Sequence, residues 1–572
     1  MRRNLPSTAA MFAVAAAVAW GGPVAADDSH GNGRDDNNGH HGSPQNEART
    51  ATPIKHLVII FNENRSFDHY FATYPTATNP RGEPAFKADR HTPAVNNLEP
   101  TSANPYLLTN NGNYTNTANG TDAANPFRLD RSQANTKSQN HGYTAEQRAN
   151  DNGKADLFPL NTGSGTSGGA GAFGTKGQVM GYFDGNTVTG LWNYAQNFAM
   201  SDNAYTDSYG PSTPGAINVI SGQTNGALAI VNTSGLLADG QSGYTVIGDP
   251  EPAYDVCSNS GSGAQMTGKN IGDLLNDANL TWGSFMGGFN LTTTNGNQTT
   301  GCKRSTLSTV VGSATADYVP HHAWFQYYKS TANFTHARPA SLAAVGYTKY
   351  NGQVDPANHN YDLDDFYAAV KAGNFPAVSY IKLPAYQDGH AGYSDPLDEQ
   401  TGTVELINFL QKQPEWKDTA VIVTYDDSDG WYDHAYATPT TASYDASADQ
   451  VNGPGKCGAG VDSQPQPKGL NGLPVNGRCG PGTRIPFIVV SPFAKQNYVS
   501  HERISQASVV RFIEDNWLEG RRLGGGSLDA STGSIKDMFD FRRDDRDNKL
   551  FLDKSTGTVV ANSPANDDDH GH

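Results

Sequence analysis

Four short apolar runs stand out from an otherwise polar chain: Leu57–Phe61, Ala377–Ile381, Ala420–Tyr425 and Phe487–Val490. Each is rich in β-branched or aromatic residues and bounded by turn formers, a pattern that predicts strands. Between the second and third runs, TVELINFLQK sets Val404, Ile407 and Leu410 at helical spacing. After the fourth, SVVRFIEDNW puts Val509, Phe512 and Ile513 on one helical face. The runs are continuously apolar, as expected of strands covered on both faces. Strand and helix in alternation predict an α/β fold, a mostly parallel central sheet flanked by helices with loop-rich insertions. Ligands of such sheets gather beyond the carboxyl ends of the strands.

Polar residues at those ends therefore carry the chemistry. Glu63 and Asn64 lie two and three residues past the first run, in the stretch FNENRSFDHYF, where a plain connector would show Gly, Pro and Ser. Asp426 and Asp427 follow Tyr425 directly. If the two strands are neighbours and point the same way, four oxygen donors converge, and three carboxylates at close quarters need a cation to stay ionised. An all-oxygen set favours one hard divalent ion (Ca²⁺, Mg²⁺ or Mn²⁺) over structural zinc. The competing reading is that each cluster merely caps a helix or turn.

The stretch SYGPSTPGAINVISGQT supplies a hydroxyl. Gly210 to Pro214 read as a constrained turn and Ala216 to Ser221 as the start of a helix, so Ser212 would face unpaired backbone N–H groups at a helix amino end. Held against a cation, its hydroxyl has a lowered pKa and can attack phosphorus; the plainer alternative is an N-cap. His141, the pair His321/His322, and His390 sit in polar, turn-like settings suited to binding phosphoryl oxygens or protonating a leaving group. His69, His336, His434 and His501 show that histidine alone selects nothing.

Composition adds the setting. A net charge of −17 argues against a nucleic-acid backbone as partner. Arg2 and Arg3, an apolar stretch over Ala9–Trp20 and the sequence PVAA ending at Ala26 predict a signal peptide over residues 1–26, too short to span a bilayer. The expected location is periplasmic or secreted, by the Sec or the twin-arginine route. Residues 27–50 read as a disordered polar linker, 51–545 as one catalytic domain and 546–572 as a polar tail. Four cysteines permit three connectivities; Cys257–Cys302 and Cys457–Cys479 are preferred because each pair brackets a Gly/Asn/Ser-rich loop, and no C-x-x-C spacing supports zinc.

Taken together, IKHLVIIFNENRSFDHYF, the GPSTPG turn, PHHAWFQYYKSTAN, DGHAGYSDPLDEQ, TYDDSDGWYDH and RIPFIVVSPFA resemble, in matching order from Ile54 to Trp517, the bacterial phosphoesterase family of phospholipases C and acid phosphatases. That family belongs to the alkaline-phosphatase-like superfamily. The resemblance implies metal ligands at Glu63, Asn64, Asp426 and Asp427, a nucleophile at Ser212, and phosphate-binding or acid histidines at His141, His322 and His390, with His321 the alternative to His322. It implies attack by a metal-held hydroxyl, a covalent phospho-enzyme, and hydrolysis by water.

Ser212-Thr213-Pro214-Gly215 without a following arginine, and Asp426-Asp427-Ser428, look more like the acid phosphatase branch. The expected function is therefore a broad-specificity acid phosphatase acting on small phosphate esters. A phospholipase C working on phospholipid headgroups, with at most peripheral membrane contact, is the nearer rival. For that rival, Trp282, Phe285, Trp324, Tyr327, Tyr328, Trp431 and Tyr432 are the aromatic residues available to meet lipid, although core packing is the simpler account of most of them. A calcium-stiffened binding protein, in which Ser212 would be idle, is the remote one. Histidines acting while protonated would favour activity below neutrality.

Overall fold

Every residue of the strand His56–Asn62 is buried, as is every residue of Thr419–Tyr425, and the two lie side by side at the centre of an eight-stranded sheet. From edge to edge the order is Asn360–Asp362, Trp282–Met286, Val378–Lys382, His56–Asn62, Thr419–Tyr425, Phe487–Val490, Ala199–Ser201 and Tyr498–Ser500. The computed structural model describes residues 48–259, 261–458, 465–542 and 548–560. These belong to one compact unit within Gly42–His572. The expected signal peptide at 1–26 lies outside the described residues, as do nearly all of the linker and much of the tail. No helix among the described residues is long and apolar enough to cross a membrane.

All four predicted strands are present. The pairing is parallel except around Phe487–Val490, which runs antiparallel to both neighbours. Its apolar run is continuous like the others, because burial on both faces dictates composition whatever the direction. Helices cover the faces: Pro396–Leu410, which carries the predicted stripe, and Ala507–Trp517. Ser212–Ser221 packs against the latter and begins at the serine itself, four residues earlier than expected, since Pro214 is tolerated in a first turn. An insertion forms a separate four-stranded sheet containing Asn225–Ala229 and Ala264–Met266.

The parallel register decides what meets at the sheet edge. His56 pairs with Thr419 and the match continues in step to Asn62 with Tyr425, so the next residues out, Glu63 and Asp426, emerge together. On the other side, Ile60 is level with Ile381, which brings Lys382 to the same end. Gly215 lets the serine helix approach closely: a Cβ there would lie 2.2 Å from the Asp426 carbonyl oxygen.

Both disulfides form as expected, Cys257–Cys302 and Cys457–Cys479, with Cα separations of 5.2 and 5.8 Å. The seven aromatic residues considered for lipid contact are all buried, between 0% and 5% exposed, so they are core. Behind the first strand, the fully buried Arg484 guanidinium reaches Asp68 at 2.9 Å and Asp433 at 3.1 Å, and donates to the Asn96 and Asp202 carbonyls at 2.7 Å each. Asp68, from the same motif as Glu63, is thus committed to this lock.

Removing one partner of such a buried group strands the others. Arg484→Met is expected to lower unfolding free energy by about 3–5 kcal/mol. Urea denaturation measures it, and a loss below about 1 kcal/mol would show that water or His434 already satisfies the two carboxylates.

Candidate metal centre and active site

After Asn62 the backbone turns sharply. Asn64 adopts φ +63°, a left-handed conformation that asparagine tolerates, and its N–H donates to Asp426 Oδ1 at 2.8 Å. Ser212 Oγ donates to Glu63 Oε2 at 2.9 Å and lies 3.3 Å from Asp427 Oδ2. Glu63, Asn64, Ser212, Asp426 and Asp427 are each 2% exposed or less. Elements far apart in sequence therefore deliver the five side chains to one spot.

Thr213 N–H, one of the helix-end groups expected to be free, is instead capped by Asp249 Oδ1 at 2.9 Å. The serine hydroxyl is consequently positioned by carboxylates rather than by a bare helix terminus.

The histidines fall into two places. His322 Nδ1 is 3.4 Å from Glu63 Oε1 and 3.8 Å from Asp388 Oδ2; His321 is less buried, so His322 is the member of the doublet turned to the acids. His141 and His390 meet edge to face, centroids 5.9 Å apart. His141 Nδ1 lies 3.0 Å from both Asp429 Oδ1 and the Gln139 carbonyl, and His390 Nδ1 lies 2.6 Å from the Ala391 carbonyl. Carbonyl partners fix N–H on each Nδ1 and leave each Nε2 available.

Three further residues belong to the site and escaped the sequence reading. Lys382, buried at the end of its strand, donates to Glu63 Oε1. Asp388 stands beside His322, and Asp429 orients His141. Asp388 and Asp429 lie inside the DGH and TYDDSDG motifs; Lys382 follows an apolar run as directly as Asp426 does. One layer below, Glu399 accepts from Asn62 Nδ2 at 2.8 Å, from Tyr70 OH at 2.6 Å and from Tyr425 OH, bracing the residues just before both acidic motifs.

Burial and mutual repulsion govern the charges. Burial, then the neighbouring Asp426 carboxylate, raises both Glu63 and Asp427 well above the ordinary carboxylate range. Burial pushes Asp388 up to about 7 against the pull of Lys382. Burial acts the same way on Asp426, but the hydrogen bond with Glu63, the Lys382 charge and the Asn64 N–H outweigh it and hold that carboxyl below its usual value.

The histidines divide in the same way. Burial lowers His322 well below the imidazole range and His390 to about 4, whereas at His141 burial is overcome by Asp427 and Asp429 and the ring is raised well above it. Of the three predicted histidines, His141 is the one whose surroundings favour the charged ring, while burial disfavours it at His322 and His390.

Do these donors suit a cation? Asn64 Oδ1 and Asp426 Oδ2 are buried and have no hydrogen-bond partner, in a group with two more carboxylates and a hydroxyl. Oxygens left bare of donors at such depth match a hard divalent ion. Two clusters also place one ligand atom from each residue within 4.8 Å of the others: Glu63, His322 and Asp388, and His141, His390 and Asp429.

Known proteins resemble this chain over most of its length. The phosphoesterase family profile matches residues 54–518. The chain belongs to the phosphoesterase family. Similar curated proteins include the non-hemolytic phospholipase C of Burkholderia pseudomallei, 24% identical over 81% of this chain and 55% of that one. The hemolytic phospholipase C of Pseudomonas aeruginosa is 23% identical over 87% and 57%. Phospholipase C B of Mycobacterium tuberculosis is 23% identical over 88% and 80%. This chain spans little more than half the length of the first two. Among solved structures, a Vibrio parahaemolyticus protein in the alkaline phosphatase superfamily aligns over 58% of this chain and 60% of its own, 13% identical, with a TM-score of 0.25. At that score the likeness bears no weight, and the fold rests on the sheet itself.

The raised carboxyls give the chain a signed pH dependence. Glu63, Asp427 and Asp388 bind protons more tightly in the folded chain than in the unfolded one, so without metal their contribution to stability is lost as pH rises above the ordinary carboxylate range, in the case of Asp388 through about 7. Asp426, being lowered, acts with the opposite sign but only below its ordinary value. A divalent ion competes with those protons. Saturating Mn²⁺ should therefore raise the melting temperature more at pH 7.5 than at pH 5. An equal or larger gain at pH 5 would remove Glu63 and Asp427 from the ligand set.

Proposed function

We propose that this phosphoesterase is an exported, metal-dependent phosphodiesterase of the phospholipase C type, with Ser212 as nucleophile. The observation that carries the substrate class is that the relatives aligned over more than four-fifths of this chain are named phospholipases C. This reverses the ranking suggested by the turn residues. Two disulfides support an oxidising, extracytoplasmic location, periplasmic or secreted.

The proposed mechanism follows from the contacts. When bound by Glu63, Asn64, Asp426 and Asp427, a divalent cation supplies Lewis-acid charge beside the Ser212 oxygen. Glu63 Oε2, 2.9 Å from Oγ, accepts the hydroxyl proton or its hydrogen bond as the oxygen turns to phosphorus. Attack at phosphorus forms the Ser212–phosphoryl bond and breaks the bond to the leaving alkoxide, which takes a proton from the His141 side. Water then cleaves the phosphoserine. A phosphoryl oxygen only accepts hydrogen bonds, so His390, whose Nδ1–H is fixed on the Ala391 carbonyl, donates to it from Nε2 once the phosphate's charge has drawn a proton onto the ring, and His322 acts in the same way.

The acid phosphatase reading keeps a specific support: the Ser212-Thr213-Pro214-Gly215 and Asp427-Ser428 sequences, together with the burial of all seven candidate lipid-facing aromatics. Parallel assays separate the two. Phosphatidylcholine turnover should exceed that of a nitrophenyl phosphate monoester, and the reverse order would restore the phosphatase. In either assay Ser212→Ala should lower kcat by about 10³-fold or more while metal content stays unchanged. Unaltered turnover would end the nucleophile assignment.

His141 sets the alkaline limb of the pH–rate profile. Its folded value is raised, so the protonated ring persists above pH 6.5 and activity declines only as pH passes that higher value. His141→Gln should abolish that limb along with most of the rate. A variant that keeps the wild-type alkaline limb would hand the proton donor to another group.

A further inference from the structure

Glu63 faces two ways. Its Oε2 meets Ser212 Oγ on the side of Asn64, Asp426 and Asp427, while its Oε1 meets the Lys382 ammonium and lies 3.4 Å from His322 Nδ1. On that second side, Glu63, His322 and Asp388 bring two carboxylate oxygens and an imidazole nitrogen within 4.8 Å of one another, a set able to hold a metal by itself. A carboxylate with one oxygen toward each of two cation positions is the bridging arrangement of two-metal sites, whose ions stand about 3.5–4 Å apart.

The second position has its own positive charge. Lys382 is 3% exposed, and its charge acts on Glu63, Asp388 and Asp426. Among the described residues no other lysine or arginine is ion-paired with Glu63 or Asp388. An ammonium this deeply buried is held by the carboxylates around it, as a metal ion would be.

We propose that Lys382 is a built-in substitute for a second metal ion: it fills the Glu63–His322–Asp388 position and limits the phosphoesterase to one divalent ion. The inference rests on the proposed metal-bound hydrolytic site and adds to it a positioning residue. By tying down Oε1, Lys382 leaves Oε2 to Ser212. A purely structural ion pair would make no difference to how many ions the chain can bind.

Ion stoichiometry tests it. The full chain is stripped of metal and titrated calorimetrically with Mn²⁺ and, separately, Zn²⁺, with bound metal counted by mass spectrometry after dialysis. The wild type should bind one ion per chain in the strand-end site. Lys382→Met, which keeps the apolar stem and loses the charge, should bind two. Lys382→Arg should stay at one, and Lys382→Met combined with His322→Ala should return to one. Two ions in the wild type would overturn the proposal without any variant. A single ion in folded Lys382→Met, checked by circular dichroism, would overturn it as well. No ion in the wild type would overturn it together with the metal site on which it rests. One ion with no ester cleaved would strike the hydrolase reading alone, since the ion count stands apart from turnover.

Discussion

The seven-residue parallel pairing between His56–Asn62 and Thr419–Tyr425 is the constraint on which the site depends. Side chains alternate between sheet faces, so a slip of one residue would send Glu63 and Asp426 to different levels and opposite sides. Both strands are buried throughout, which makes such a slip costly along their whole length. Precision at the sheet edge is thus purchased by apolar residues that never touch substrate. The Asp426 N–H continues the ladder onto the Asn62 carbonyl at 3.2 Å, so the hydrogen-bond pattern ends only where the chemistry begins.

Gathering acids this way creates a repulsion problem, and the surroundings answer it in layers. Lys382 sits directly on Glu63, and the Asn64 N–H on Asp426. Beneath them Glu399 is surrounded by donors from Asn62, Tyr70 and Tyr425, while the Arg65 guanidinium binds the Gly389 carbonyl and lies 5.2 Å from the Tyr70 ring centroid. Further back, Arg484 joins Asp68 to Asp433. The density of charge in ENRSFDHYF therefore serves two ends. Glu63 and Asn64 face the candidate site, whereas Arg65 and Asp68 hold the turn that presents them.

The sequence made the centre of the fold readable and left its margins obscure, for physical reasons. Runs such as Leu57–Phe61 and Ala420–Tyr425 are long and fully buried, so composition alone exposes them. Ala199–Ser201, Asn360–Asp362 and Tyr498–Ser500 are three residues each, too short for any period to emerge. Strand direction leaves no trace in a continuously apolar run, hence the unexpected antiparallel Phe487–Val490. Glu63, Asn64, Asp426 and Asp427 were conspicuous as polar residues where a buried strand stops. Lys382 obeyed the same rule but was overlooked, because a lone lysine after a strand usually reaches into solvent. Nothing local distinguishes it; only the register against His56–Asn62 turns it inward.

The insertions do more than decorate this core. Glu146, on the helix Tyr143–Asn150, accepts from the Gly210 N–H at 3.1 Å and from Ser428 Oγ at 2.5 Å, joining the serine turn to the second acidic motif from outside the sheet. That helix is anchored at its start: Tyr143 OH donates to Asp449 at 2.7 Å and accepts from the Cys479 N–H at 3.1 Å. Cys479 is bonded to Cys457, and both pack with Tyr143 and Tyr209 in a small separate core. The chain of contacts runs from disulfide to Tyr143, along one helix to Glu146, and so to the residue two before Ser212. A covalent link placed there restrains the unfolded chain, and in the folded one it stiffens the outer wall of the site that the central strands build from within.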